Sequence, residues 1–139
     1  MAFRPYLFFG GNCREAFNRY REIFGGEVTL MSMKDAPGDQ PPPADKADMI
    51  IHASLLVGDE LLMASDDPMN DNFGPVQGMM VSYDAPDNVE AKRVFDALAE
   101  GGTVTQELTP TFFAEAFGMC TDRFGTPWMI VGPQTAPPS

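Results

Sequence analysis

The chain has 139 residues, 44% of them hydrophobic and 21% charged, an ordinary globular composition with length for one real core or two small fused modules. No apolar run approaches the roughly 20 residues that a membrane-spanning helix needs, and MAFRPYLFFGG lacks a signal-peptide layout, so a cytoplasmic protein with no membrane partner is expected. A formal net charge of -11 and a sequence pI of about 4.2 repel phosphate backbones and anionic lipid, which sets nucleic acid aside as a partner.

RPYLFF reads as a first strand. Asn12 then opens an amphipathic stretch, with Glu15 three residues later in the pattern of a capping box. Ala16, Phe17, Tyr20, Ile23 and Phe24 share one face of it, and Gly25-Gly26 ends it. EVTLMSM follows as a strand. Residues 35–47, DAPGDQPPPADKA, hold three consecutive prolines, which forbid ladder and helix bonds. They read as a long exposed connection and a candidate lid. MIIHASLLV and ELLMAS form a hairpin through Gly58-Asp59. Its alternation points Ile51, Ala53, Leu55 and Val57 one way and His52, Ser54 and Leu56 the other.

After the bridge DDPMNDNFGPVQG the same order returns. GMMVSY is a strand, and Asp87 with Glu90 opens a helix that turns Ala91, Val94, Phe95 and Leu98 inward. Gly101-Gly102 ends that helix before the strand TVTQEL. FFAEAFGMCTDRF and PWMIVG then make a hairpin around Gly125, and GPQTAPPS is a polar tail. One unit is stated twice, βαβββ-βαβββ. The fold class is α+β, with helices covering one face of curved mixed sheets and a cup expected between the halves. The modules are residues 1–66 and 78–132, joined by a bridge at 67–77 and followed by a tail at 133–139.

His52 is the single histidine. It reads as a general base or hydrogen-bond donor facing the cup, or as a strand histidine bonded to a neighbour. Glu115 reads as its acid–base partner from the second module, or as a surface carboxylate. Tyr6, Phe113, Phe117 and Trp128 are candidates for an aromatic wall, and Ser54 and Met63 for the lining beside it. The same residues also read as plain core. Cys13 and Cys120 have no metal or redox spacing. Cys13 sits in a first helical turn, where the dipole favours a thiolate, but a buried or idle thiol is the preferred reading of both cysteines.

In N-C-x-E-A-F-x-x-Y-x-x-I-F-G-G, with RPYLFFGGNCREAF, IIHASLLVGDELLMASD and FGMCTDRFGTPWMIV, the chain resembles the vicinal oxygen chelate superfamily. That superfamily holds glyoxalase I, bleomycin-resistance proteins and extradiol dioxygenases. T-D-R-F-G-T-P-W-M-I resembles its PhnB-like branch, sometimes labelled 3-demethylubiquinone methyltransferase-like. The resemblance covers nearly the whole chain. It implies a glyoxalase-like fold, a homodimer, and a divalent metal held by His or Glu on the first and last strand of each module. By local register those ligands fall near Pro5, Leu62 or Met63, Gly78 and Met129, none of which is a hard donor. Where relatives of the branch often carry W-A-H-G-F-G, this chain has Phe113 for the Trp and Glu115 for the His.

No metal and no cofactor are therefore expected, and no Gly-rich loop of the kind that cradles S-adenosylmethionine is present. The implied function is metal-free binding of a small apolar or aromatic molecule in the inter-module cup. The alternatives are a metal-dependent lyase or dioxygenase with a non-standard site built from His52, Asp66 and Glu115, and a dimer whose role lies in protein contacts.

Overall fold

Two units, Met1–Phe73 and Gly74–Ser139, carry the same order of elements. The computed structural model describes residues 3–35, 47–67 and 77–135. The candidate lid, apart from its two ends, most of the bridge and the end of the tail lie outside the described residues. No helix among those described is long and apolar enough to cross a membrane.

In the first unit β1 (Tyr6–Phe9) leads into α1 (Cys13–Phe24), β2 (Glu27–Ser32), a 3-10 turn at Met33–Asp35, β3 (Ile50–Val57) and β4 (Glu60–Asp66). In the second, β5 (Val81–Asp84) leads into α2 (Asn88–Ala99), β6 (Thr103–Thr109), β7 (Phe117–Thr121) and β8 (Pro127–Val131). The sheets have strand orders β1-β4-β3-β2 and β5-β8-β7-β6. In each the first strand pairs parallel with the last, and the other pairings are antiparallel. Each unit is thus an α+β layer of one helix on one curved mixed sheet, the glyoxalase-like arrangement.

The helices form because their apolar residues recur at helical spacing and have a sheet to bury against. Ala16, Phe17, Tyr20 and Ile23 are buried on α1, and Ala91, Val94, Phe95 and Leu98 on α2. Each large side chain so buried contributes about 1.5–3 kcal/mol. Phe9, Phe17 and Tyr20 meet edge to face, with centroids 6.4 and 5.6 Å apart. Alternation holds along β3, where Ala53 and Leu55 are buried while Leu56 is 43% exposed. It breaks at the strand's start. The pairing jumps from Met31↔His52 to Ser32↔Ile50, so Ile51 is the extra residue of a bulge and Ile50, rather than Ile51, is the buried one.

The caps differ between the repeats. Asp87 caps α2, its Oδ1 accepting the Glu90 N–H at 2.8 Å. Asn12 makes no side-chain cap to α1, so the expected capping box is not formed there. The buried Asp66 at the end of β4 takes over, its Oδ1 accepting the Gly11 and Cys13 N–H groups, each at 3.0 Å. A charged acceptor from a neighbouring strand outcompetes the local amide because it also holds the helix start to the sheet.

The paired glycines have two jobs. Gly25 (φ +76°) and Gly101 (φ +78°) turn the chain out of each helix. Gly26 and Gly102 each stand one residue before a strand and press on the neighbouring strand. A Cβ on Gly26 would lie 2.2 Å from the Leu56 carbonyl oxygen, and one on Gly102 2.1 Å from that of Thr121.

Candidate functional site

Period-two alternation decides what the open face of the first sheet carries. With Leu7, Phe9, Ala53, Leu55 and Ala64 buried, the other parity presents Tyr6, Phe8, His52, Ser54 and Met63. Tyr6 pairs with Met63, and Met63 with Ser54, so three of the expected residues form one row across β1, β4 and β3. Phe8 and His52 stand in the next row, beside Ser65 and Met31 respectively.

The Tyr6 ring reaches diagonally over β4, placing its Oη 3.3 Å from His52 Nδ1. The two rings are 5.9 Å apart and Tyr6 lies 5.3 Å from Phe8. The outcome is a continuous run of three rings that remains open, with Tyr6 37%, Phe8 55% and Met31 43% exposed. His52, Tyr6, Ser54 and Met63 are therefore brought together. Phe8 and Met31 belong with them and escaped the sequence reading, although the alternation of Tyr6-Leu7-Phe8-Phe9 carried the signal for Phe8.

In the second unit Phe112, Phe113 and Phe117 form another run, with centroids 5.2 and 5.1 Å apart and edge-to-face geometry. The expected strand through FFAEAFG starts only at Phe117. Residues 110–116 are irregular, tied down by the Ala114↔Gln134 bridge and by the Glu115 N–H donating to the Pro133 carbonyl. Glu115 itself is exposed.

Trp128 is not on that face. It pairs with Cys120, two positions from Gly118, where a Cβ would meet Phe95 of α2 at 2.8 Å, so its parity is that of the helix-covered face. The ring is 2% exposed and its Nε1 donates to Asp122 Oδ2 at 2.9 Å. Of the four aromatics grouped from the sequence, Trp128 is thus the one turned away from the open faces. The open parity of β7 and β8 carries Met119 and Met129, which pair with one another, and Met129 also pairs with Ser82.

The turn from β1 into α1, Phe9-Gly10-Gly11-Asn12, has the strand–glycine–helix form that can hold an anion. Here the anion is internal. Asp66 takes the Gly11 and Cys13 N–H groups on one oxygen and the Ile50 N–H on the other, at 2.9 Å. It is thereby committed to the backbone rather than free for a cation. Cys13, beside it, is fully buried, and burial first and then the Asp66 charge push its thiol up to about 12. Burial and Asp122 raise Cys120 to about 11. Both cysteines are thus the buried thiols preferred from the sequence, and the dipole-stabilised thiolate does not form at Cys13 because desolvation outweighs the helix end.

At the positions where the first and last strands of each unit pair nearest the expected ligand register, the residues do not fit a hard divalent ion. They are Tyr6–Met63 and Ser82–Met129, and a phenol, an alcohol and two thioethers are poor donors to Ni, Zn or Mn. Among the described residues no three His, Cys, Asp or Glu side chains gather to hold a metal.

The model of the family described as 3-demethylubiquinone-9 3-methyltransferase matches residues 1–131. Protein YjdN of Escherichia coli (strain K12) is 34% identical over 142 residues, 94% of each chain. Among solved structures, protein PA1353 from Pseudomonas aeruginosa is 46% identical with a TM-score of 0.81, covering 96% of this chain and 98% of its own. A PhnB protein from Bacillus cereus, described as a putative 3-demethylubiquinone-9 3-methyltransferase, is 26% identical with a TM-score of 0.76, covering 95% of this chain and 99% of its own.

Proposed function

We propose, for a chain that belongs to the 3-demethylubiquinone-9 3-methyltransferase family and there to the PhnB-like branch of the vicinal oxygen chelate superfamily, that it binds a small apolar or aromatic molecule without the superfamily's usual metal. The observation that carries this reading is the open run of Phe8, Tyr6 and His52 bordered by Met31, Ser54 and Met63. Exposed rings already in contact, with flexible thioethers beside them, suit a planar apolar guest. Phe113 and Phe117 offer a second such surface in the other unit. His52 supplies a polar group there, while Glu115, exposed in its own unit, is the carboxylate candidate for acid–base work.

The methyl transfer in the family's description finds little support. The backbone donors of the one strand–glycine–helix turn among the described residues already serve Asp66. Asp66, one of the three residues of the non-standard metal site, is engaged by the same backbone donors and by the Ile50 N–H. The reading retains a cytoplasmic homodimer, as the resemblance implies.

Native mass spectrometry on protein purified without chelator or metal-affinity columns tests it. A metal-free dimer that takes up aromatic fragments is the expected result. Stoichiometric metal, or fragment uptake only after Ni, Zn or Mn is added, would overturn it.

A further inference from the structure

The Tyr6 Oη to His52 Nδ1 distance of 3.3 Å is long for a hydroxyl donor, for which about 2.7–2.8 Å is usual. Neither residue is buried, and Tyr6 is 37% exposed. A long bond between accessible groups is weak, so an incoming oxygen can take either partner at little cost.

What the pair offers does not depend on the tautomer. If the phenol donates to Nδ1, Nε2–H is left as donor and the phenol oxygen as acceptor. If Nδ1–H donates to the phenol, its O–H is left as donor and Nε2 as acceptor. Either way one donor and one acceptor are left unused by the pair, which lies beside the Phe8 ring, with Met63 the strand partner of Tyr6. A pure hydrocarbon lying here would strip water from both groups and return nothing. An anion would meet the field of a chain with net charge -11.

We infer that Tyr6 and His52 are the polar head of the binding face, and that its ligand is a neutral aromatic ring bearing one hydroxyl or carbonyl oxygen; this rests on the ligand-binding reading above. The pair selects the ligand and fixes which end of it lies over β3.

Three probes of similar size test this by ligand-detected NMR titration of the full chain: ethylbenzene, 4-ethylphenol and acetophenone. The wild type is expected to hold the two oxygenated probes about three- to tenfold more tightly than ethylbenzene, the range of one net hydrogen bond. Tyr6→Phe and His52→Phe keep a ring in place and are expected to erase that preference, so that each variant binds the three probes alike. His52→Gln, which retains a donor and an acceptor, is expected to restore part of it. Equal binding of all three probes to the wild type, or a preference that survives both Phe variants, overturns the inference alone. If no probe binds at all, the ligand-binding reading falls and takes the inference with it.

Discussion

Replacing Asp66 by Asn tests the most connected side chain of the first unit. The carboxylate accepts three main-chain N–H groups, from Gly11, Cys13 and Ile50, and ties β4 to the start of α1 and the start of β3. Asn keeps the volume but has one oxygen. That oxygen can serve Gly11 and Cys13 or it can serve Ile50, and the NH2 group faces whichever is left. The gentler orientation orphans the buried Ile50 N–H, at about 1–3 kcal/mol, and removes charge assistance from the other two bonds. Relief from desolvating the carboxylate returns part of this. The expected loss is about 2–3 kcal/mol for Asp66→Asn and about 3–5 kcal/mol for Asp66→Ala, which orphans all three.

Urea unfolding at pH 7, followed by far-UV circular dichroism, measures it. With slopes of about 1–3 kcal/mol/M, the midpoint should fall by about 0.7–3 M for Asn. Trp128 fluorescence reports the second unit, so its transition shows whether the units unfold together. Losing the Asp66 charge should also bring the Cys13 thiol down from about 12. If both variants stay within about 0.5 kcal/mol of wild type, the carboxylate does not hold the helix start and the reasoning is refuted.

Ala in place of Gly26 or Gly102 should cost about 1–3 kcal/mol, because the new methyl would meet a backbone carbonyl that cannot step aside; thermal melts unchanged by either would show that the strands have room to move. Cys13 and Cys120, raised to about 12 and 11 from ordinary values near 9, should resist thiol reagents at pH 8 until the chain is unfolded. The stability tied to their protonated state is fully present below pH 9 and is lost as pH rises through the folded values. The unfolding free energy from urea titrations should therefore fall by about 1.4 kcal/mol per pH unit for each thiol, from pH 9 to about 11 for Cys120 and to about 12 for Cys13, and less steeply in Cys13→Ala. Trp128 should emit in the blue and resist acrylamide quenching, and Trp128→Phe should cost about 1–3 kcal/mol by removing the donor to Asp122 Oδ2; quenching like that of free indole would remove it from the core.

The βαβββ order, the two helix faces, the Gly58-Asp59 and Gly125 turns and the partition of β3 into two faces beyond its bulge at Ile51 were legible in the chain itself, because they follow from local spacing and from turn chemistry of a few adjacent residues. So were four of the grouped residues, Tyr6, His52, Ser54 and Met63, since parity along a strand is a local property. What needed tertiary structure was each choice made between distant segments. Asn12 had the spacing of a cap, yet Asp66, 54 residues on in sequence, displaced it. Cys13 had the position of an activated thiol, yet burial against the sheet set its chemistry. Trp128 had the character of a binding aromatic, yet the pairing of β7 with β8 turned it under α2. In each case a local preference worth about 1 kcal/mol met a desolvation or packing term that is larger and that exists only once the sheet has formed.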